Sequence, residues 1–213
     1  MMSQIGLEDT ARQTVFIVDD DAAIRDGLCN LLESVGLNAE HYSSAESFFD
    51  NWNDGRAGCL VLDVRLPGMT GVEFQEMMQQ SGISIPIIFM TAHGDVPMVR
   101  KVMKAGAVEF LTKPFEIQEL LSAIEQAFAR DRDRREDEAA LNSIQSCVDT
   151  LTAREREVMA MVTAGLLNKQ IAFELNLSEI TVKLHRRHVM EKMKAGSLAE
   201  LVKLCERAKI HSR

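Results

Sequence analysis

Five short runs rich in β-branched and apolar residues punctuate the first 130 residues, at Thr14–Val18, Leu37–Tyr42, Cys59–Leu62, Ile85–Met90 and Ala107–Leu111. Between them lie stretches with helical periodicity, over Ala22–Val35, Ala45–Asn53, Gly71–Gln80, Val96–Ala105 and from Ile117 onward. A strand that is apolar along its whole length, rather than on alternate residues, must be covered on both faces. Helices between parallel strands provide that cover. The pattern predicts an α/β doubly wound domain of the flavodoxin-like kind, a five-stranded parallel sheet in the order 2-1-3-4-5.

That topology locates a site before any motif is considered. Ligands of open parallel sheets bind beyond the carboxyl ends of the strands where the strand order reverses, here between the first and third strands. The first strand ends in Asp19-Asp20 and the third in Asp63, so three carboxylates converge on one crevice. Clustered carboxylates without His or Cys nearby suit a hard, oxygen-seeking cation, Mg2+ or Mn2+. The fourth strand ends at Thr91 and the fifth runs through Phe110 to Lys113, adding a hydroxyl and an ammonium. A proline follows Lys113, and such an X-Pro bond can be cis. Asp21 falls at the turn into the first helix, where a negative charge favours the helix N-terminus.

From Ala129 the chain reads Ala-Arg-Asp-Arg-Asp-Arg-Arg-Glu-Asp-Glu-Ala-Ala-Leu, without Gly or Pro and with charges of alternating sign. This predicts a solvated helix prolonging the fifth helix as a linker over 129–147, between a domain at 13–128 and another at 148–213. The last 60 or so residues contain helical stretches only, at Ala153–Ala164, Asn168–Leu175, Glu179–Lys192 and Leu198–Ala208. Thr152 and Glu155 form a capping box, and Asn176-Leu-Ser178 is short enough for the turn of a helix-turn-helix.

Charge divides along the same boundaries. Residues 1–130 carry 9 basic and 19 acidic side chains, a balance of −10. Residues 131–150 carry 3 and 6, and residues 151–213 carry 12 and 7, so the C-terminal module stands at +5. If nucleic acid binds, it binds there. No apolar run approaches the roughly 18 residues of a membrane span. The N-terminus has neither the basic nor the apolar region of a secretory signal, which predicts a cytoplasmic protein. The four cysteines are scattered singly, which argues against zinc and disulfides. The twelve methionines are expected to fill gaps in the cores.

Val-Asp19-Asp20-Asp, Leu-Asp63-Val-Arg-Leu-Pro-Gly, Met-Thr91-Ala-His-Gly-Asp and Phe-Leu-Thr-Lys113-Pro-Phe resemble, in order, the signatures of the receiver domain of two-component response regulators. The resemblance implies that Asp63 accepts a phosphoryl group from a sensor histidine kinase. It further implies that Asp20, Asp63 and the Arg65 backbone carbonyl coordinate Mg2+ (or Mn2+), with Asp19 acting through water. Thr91 and Lys113 would meet the phosphoryl group after transfer, and Phe110 would be the aromatic switch. Arg65 and His93 occupy positions that tune the lifetime of the phosphorylated state in receivers.

Gly165-Leu-Leu-Asn-Lys169-Gln-Ile-Ala and Ser178-Glu-Ile-Thr181-Val-Lys183-Leu184-His-Arg186-Arg187-His resemble the four-helix LuxR/GerE-type helix-turn-helix. Receiver plus this module is the architecture of the NarL/FixJ class. Val182, Val189 and Met193 share an apolar stripe that should pack inward. Lys183, Leu184 and Arg187 lie opposite, as base readers should, while Thr181, Lys169 and Arg186 suit the DNA backbone. His185 and His188, three apart, lack a third metal ligand nearby. The class implies promoter DNA, a phosphorylation-dependent homodimer and RNA polymerase as partners, no membrane, and no enzymatic activity beyond the receiver's own phosphorylation and dephosphorylation. Two rival functions remain open to the sequence. One is a Mg2+-dependent phosphohydrolase with an aspartyl nucleophile, although such enzymes usually carry a second aspartate where Arg65 stands. The other is a phospho-switch whose helical module binds protein.

Overall fold

The computed structural model describes residues 13–53, 55–92 and 96–210. The N-terminal stretch considered for a secretory signal and His93 lie outside the described residues. The chain divides into two compact units between Arg134 and Arg135.

In the first unit, strands β1 (Thr14–Val18), β2 (Asn38–Tyr42), β3 (Gly58–Asp63), β4 (Ile87–Thr91) and β5 (Glu109–Thr112) form one parallel sheet. Its order is β2-β1-β3-β4-β5, the predicted one. Helices α1 (Ala22–Ser34), α2 (Ala45–Asn51), α3 (Gly71–Gln80), α4 (Val96–Lys104) and the first part of α5 (Ile117–Asp149), up to Arg134, alternate with the strands. Successive residues of a strand point to opposite faces, and each face has its own core. Phe16, Leu60, Leu62 and Phe89 pack with Phe48 and Phe74 on one side. Val15, Ile17, Val61, Ile88 and Met90 pack with Leu32, Leu120 and Ile124 on the other.

The departures from expectation have local causes. Strand β4 starts at Ile87 rather than Ile85, because Pro86 has no N–H to donate to a ladder; its carbonyl accepts from Leu60 N at 2.9 Å. Strand β2 is an edge strand, half-exposed at Ala39, Glu40 and Tyr42 and open to solvent at Asn38 and His41, not a fully buried run. Met78 and Met90 are buried, but Met77 and Met103 are 40% and 39% exposed and fill no core gap.

The charged linker is helical throughout, within a single helix of 33 residues. It is not solvated throughout, however. Asp131 is fully buried, accepting the Gly58 N–H at 2.9 Å and the Arg134 guanidinium at 2.6 Å. Beside it, Gln13 Nε2 donates to the Phe128 carbonyl at 3.1 Å and Arg132 donates to Gln13 Oε1 at 3.0 Å. Gly58 holds a φ of +148°, and a Cβ there would lie 1.8 Å from the Thr14 carbonyl oxygen. Only glycine allows β1 and β3 to approach so closely at this end.

In the second unit, α6 (Ala153–Thr163), α7 (Asn168–Leu175), α8 (Glu179–Lys192) and α9 (Leu198–Arg207) enclose a core that includes Val158, Ile171, Val182, Val189, Met193 and Leu201. Thr152 and Glu155 form the predicted capping box at the start of α6. Asn176 turns the chain from α7 towards α8 in the left-handed region at φ 53°, which asparagine tolerates. Cys29, Cys59, Cys147 and Cys205 are free thiols. Among the described residues no helix is long and apolar enough to cross a membrane.

Candidate functional site

Strand register brings the acidic and basic ends together. Thr91 closes β4, Thr112 pairs with it from β5, and Lys113 N donates to the Thr91 carbonyl at 2.7 Å. Lys113 is thereby delivered to the carboxyl edge of the sheet beside β4, and its peptide bond to Pro114 is cis. Its ammonium lies 2.6 Å from Asp19 Oδ2 and 2.9 Å from Asp63 Oδ2. Asp19 is fully buried, its second oxygen accepting the Asp21 N–H at 2.9 Å, while the Arg25 guanidinium donates to the Asp19 carbonyl at 2.8 Å. Asp20 is exposed.

Beyond β3 the chain doubles back in a two-residue ribbon, Arg65–Leu66 against Met69–Thr70. Asp63 Oδ1 accepts the Arg65 N–H at 3.1 Å, and Gly71 N donates to the Val64 carbonyl at 2.8 Å. A Cβ at Gly71 would sit 2.9 Å from both the Asp63 carbonyl oxygen and the Phe89 ring, so glycine lets α3 start directly behind Asp63. Thr91 is buried at 1% exposure. Phe110 is half-buried against the core on its face of the sheet. The predicted residues Asp19, Asp20, Asp63, Thr91 and Lys113 thus gather at the carboxyl edge of neighbouring strands.

Burial pushes the Asp19 carboxyl above its ordinary value in spite of the hydrogen bond from Lys113. Burial would also lower the Lys113 ammonium, but its hydrogen bonds to Asp19 and Asp63 outweigh this and hold it above the usual lysine value. Carboxylate oxygens of Asp19, Asp20 and Asp63 lie within 4.8 Å of one another. Three carboxylates against one ammonium leave an excess of negative charge in a partly buried crevice. That all-oxygen donor set fits a hard dication. Asp21 is not part of it: its side chain caps α1, accepting from Ala23 N at 2.8 Å and Ile24 N at 3.4 Å.

In the second unit, Val182, Val189 and Met193 are at most 2% exposed, so α8 turns the opposite face outward. On that face Lys183 and Arg187 are exposed and Leu184 is 50% exposed. Arg187 donates to Glu191 Oε1 at 2.8 Å, one turn along the same helix. Lys169 is exposed on α7. Arg186 and Thr181, considered for the DNA backbone, have local partners. Arg186 donates to Asn168 Oδ1 at 2.7 Å, bridging α8 to α7, and the Thr181 hydroxyl lies 2.8 Å from that of Ser178.

His185 and His188 belong to no set of potential metal ligands among the described residues. His188 Nδ1 lies 3.5 Å from Glu155, which also accepts from Lys192 Nζ at 2.6 Å. The capping motif had identified Glu155, but not that it anchors the far end of α8. Asp131 was likewise missed, since nothing local distinguishes it from its charged neighbours.

Residues 15–125 match the family described as response regulator receiver domain, and residues 149–205 match bacterial regulatory proteins of the luxR family. Nodulation protein W of Bradyrhizobium diazoefficiens is 48% identical over 199 residues, covering 93% of this chain and 88% of that protein. The response regulator protein TodT of Pseudomonas putida is 44% identical over 195 residues, covering 92% and 86%. The solved structure of the response regulator StyR is similar at 47% identity and a TM-score of 0.81, covering 92% of this chain and 99% of that one.

Proposed function

This chain belongs to the response regulators that join a receiver to a LuxR-type DNA-binding domain, and from that premise we propose that Asp63 is its phosphoacceptor. The protein is a phosphorylation-dependent transcription regulator of the NarL/FixJ class. The observation that carries the assignment of Asp63 is Lys113 held between it and Asp19. One Asp63 oxygen attacks phosphorus as the nitrogen–phosphorus bond of a sensor kinase's phosphohistidine breaks, and the histidine nitrogen leaves with the electron pair. Such a transfer needs little covalent assistance and much charge stabilisation. Lys113 supplies one positive charge to the phosphoryl oxygens. Asp20, Asp63 and the Arg65 carbonyl would hold Mg2+ or Mn2+, with Asp19 acting through water. When bound, that dication offsets the remaining negative charge.

Phosphorylation adds about −1.5 to −2 charges and three acceptor oxygens. Thr91 turns its hydroxyl to meet them, and Phe110, half-buried nearby in β5, follows into the space released. This biases the outer surface of the receiver towards a homodimer. The receiver occupies 13–128, the linker 129–147 and the DNA-binding domain 148–213. Lys183, Leu184 and Arg187 read promoter bases, Thr181, Lys169 and Arg186 hold the DNA backbone, and RNA polymerase is the downstream partner. A cytoplasmic address follows from these roles.

The test is labelling with a radioactive small-molecule phosphodonor in Mg2+, followed by DNA footprinting across the protein's own genomic neighbourhood. Wild type should label, dimerise and protect DNA, and Asp63→Asn should do none of these. Labelling retained in Asp63→Asn would mean that the acceptor lies elsewhere.

A further inference from the structure

We propose that Ile180 is a specificity-determining residue of the DNA-binding module, reading a thymine methyl group in the major groove beside Leu184. The inference rests on the DNA-binding role of α8 and adds to it a residue outside the predicted reading set.

Ile180 is the second residue of α8 and is 79% exposed, whereas Val182 and Val189 on the same helix are 0% and 1% exposed. At 3.6 residues per turn, Ile180, Lys183, Leu184 and Arg187 fall within roughly a third of the helix circumference, and Val182 and Val189 fall opposite. One outward stripe therefore alternates apolar and basic side chains: Ile180, then Lys183 with Leu184, then Arg187.

A single exposed apolar residue is ordinary and needs no explanation. Two features set Ile180 apart. First, it stands one turn from Leu184, itself 50% exposed, on the stripe that carries the two basic side chains. Second, it lies in the first turn of the recognition helix, the part that helix-turn-helix proteins direct at base edges. In the major groove the apolar group available to such a side chain is the C5-methyl of thymine, as guanine N7/O6 and phosphate are available to lysine and arginine. The net charge of +5 over residues 151–213 draws this module towards the duplex. Ile180 is β-branched and stiff at χ1, so in a helix it presents its methyl groups in essentially one orientation with little entropy left to lose. The occupant of this apolar patch is thus a T·A pair at one end of each half-site, next to the pair read by Leu184.

The experiment is selection of binding sites from a random duplex pool by the full-length protein, with and without phosphodonor, for wild type, Ile180→Ala and Ile180→Val. The wild-type consensus should contain a T·A position that becomes degenerate in Ile180→Ala and is kept in Ile180→Val, with the remaining positions unchanged. Replacing that thymine by deoxyuridine, which lacks only the methyl, should weaken wild-type binding about fourfold, the equilibrium equivalent of burying one such group. The same replacement should leave Ile180→Ala unaffected. An Ile180→Ala consensus identical to wild type at every position overturns the proposal while leaving the DNA-binding reading intact. Failure of wild type to enrich any sequence in either state removes the DNA-binding reading, and the proposal with it. Because Ile180 is exposed, an unchanged unfolding midpoint in Ile180→Ala assigns the altered consensus to base contact rather than to misfolding.

Discussion

The buried carboxylate of Asp131 accepts the backbone N–H of Gly58 at 2.9 Å, joining the linker helix to the amino end of β3 across 73 residues of sequence. Asp131→Ala would strand that N–H away from water, an omission that costs about 1–3 kcal/mol. Asp131→Asn keeps an acceptor oxygen and should lose less. Urea unfolding of the full chain measures both, and equal midpoints for Asp131→Ala and wild type would show that the contact contributes nothing.

The ammonium of Lys113 is the counter-charge of the Asp19 and Asp63 carboxylates. Lys113→Met leaves Asp19 and Asp63 facing each other without it and should destabilise the metal-free protein by about 3 kcal/mol. The carboxylates would then bind a dication more tightly. Added Mg2+ should raise the Tm of Lys113→Met more than that of wild type. A smaller rise in the variant would exclude the three carboxylates as the metal site.

Glu155 should contribute to the acid sensitivity of the DNA-binding unit. Its hydrogen bond from Lys192, aided by the Thr152 N–H, lowers its pKa from 4.5 to about 2. A depressed folded-state pKa contributes stability that is complete above the unfolded value and fades as pH falls through the folded one. The window is therefore about pH 4.5 down to 2, and the contribution is on the order of 2–3 kcal/mol. Glu155→Gln should lower stability at neutral pH and flatten the dependence in that window. Denaturant midpoints collected between pH 2 and 7 provide the check.

Arg187 is engaged by Glu191 at 2.8 Å, with both side chains well exposed. In the DNA-reading role proposed for Arg187, DNA has to compete with that carboxylate for the guanidinium, and the carboxylate also repels phosphate. Glu191→Gln should tighten binding about two- to fivefold at low salt, the gain shrinking as salt rises. Titration at two ionic strengths tests this, and weaker binding in the variant would mean that Glu191 positions Arg187 for DNA rather than withholding it.

Much of this was legible in the chain itself. Two strands ending in aspartates, and a topology rule for where such ends meet, were enough to bring Asp19, Asp20 and Asp63 together. Helical spacing placed Val182 and Val189 inward and Lys183 and Arg187 outward. Those inferences depend on local periodicity and on connectivity, both written in linear order. Asp131 could not be found that way. It stands in a run where Asp133 and Asp137 have the same chemistry and similar neighbours. Only the seat of the helix against Gly58 separates one buried carboxylate from the solvated ones.

The same division applies to the chain as a whole. Sequence alone determined two domains, the sheet order and the set of residue types at its carboxyl edge, because hydrophobic period and strand–helix alternation are properties of neighbours in the chain. Tertiary structure decided which groups became partners: Lys113 shared between Asp19 and Asp63, Lys192 on Glu155, Arg186 on Asn168. A hydrogen bond is won over tenths of an ångström, and linear spacing carries no such information between residues 18 to 94 positions apart.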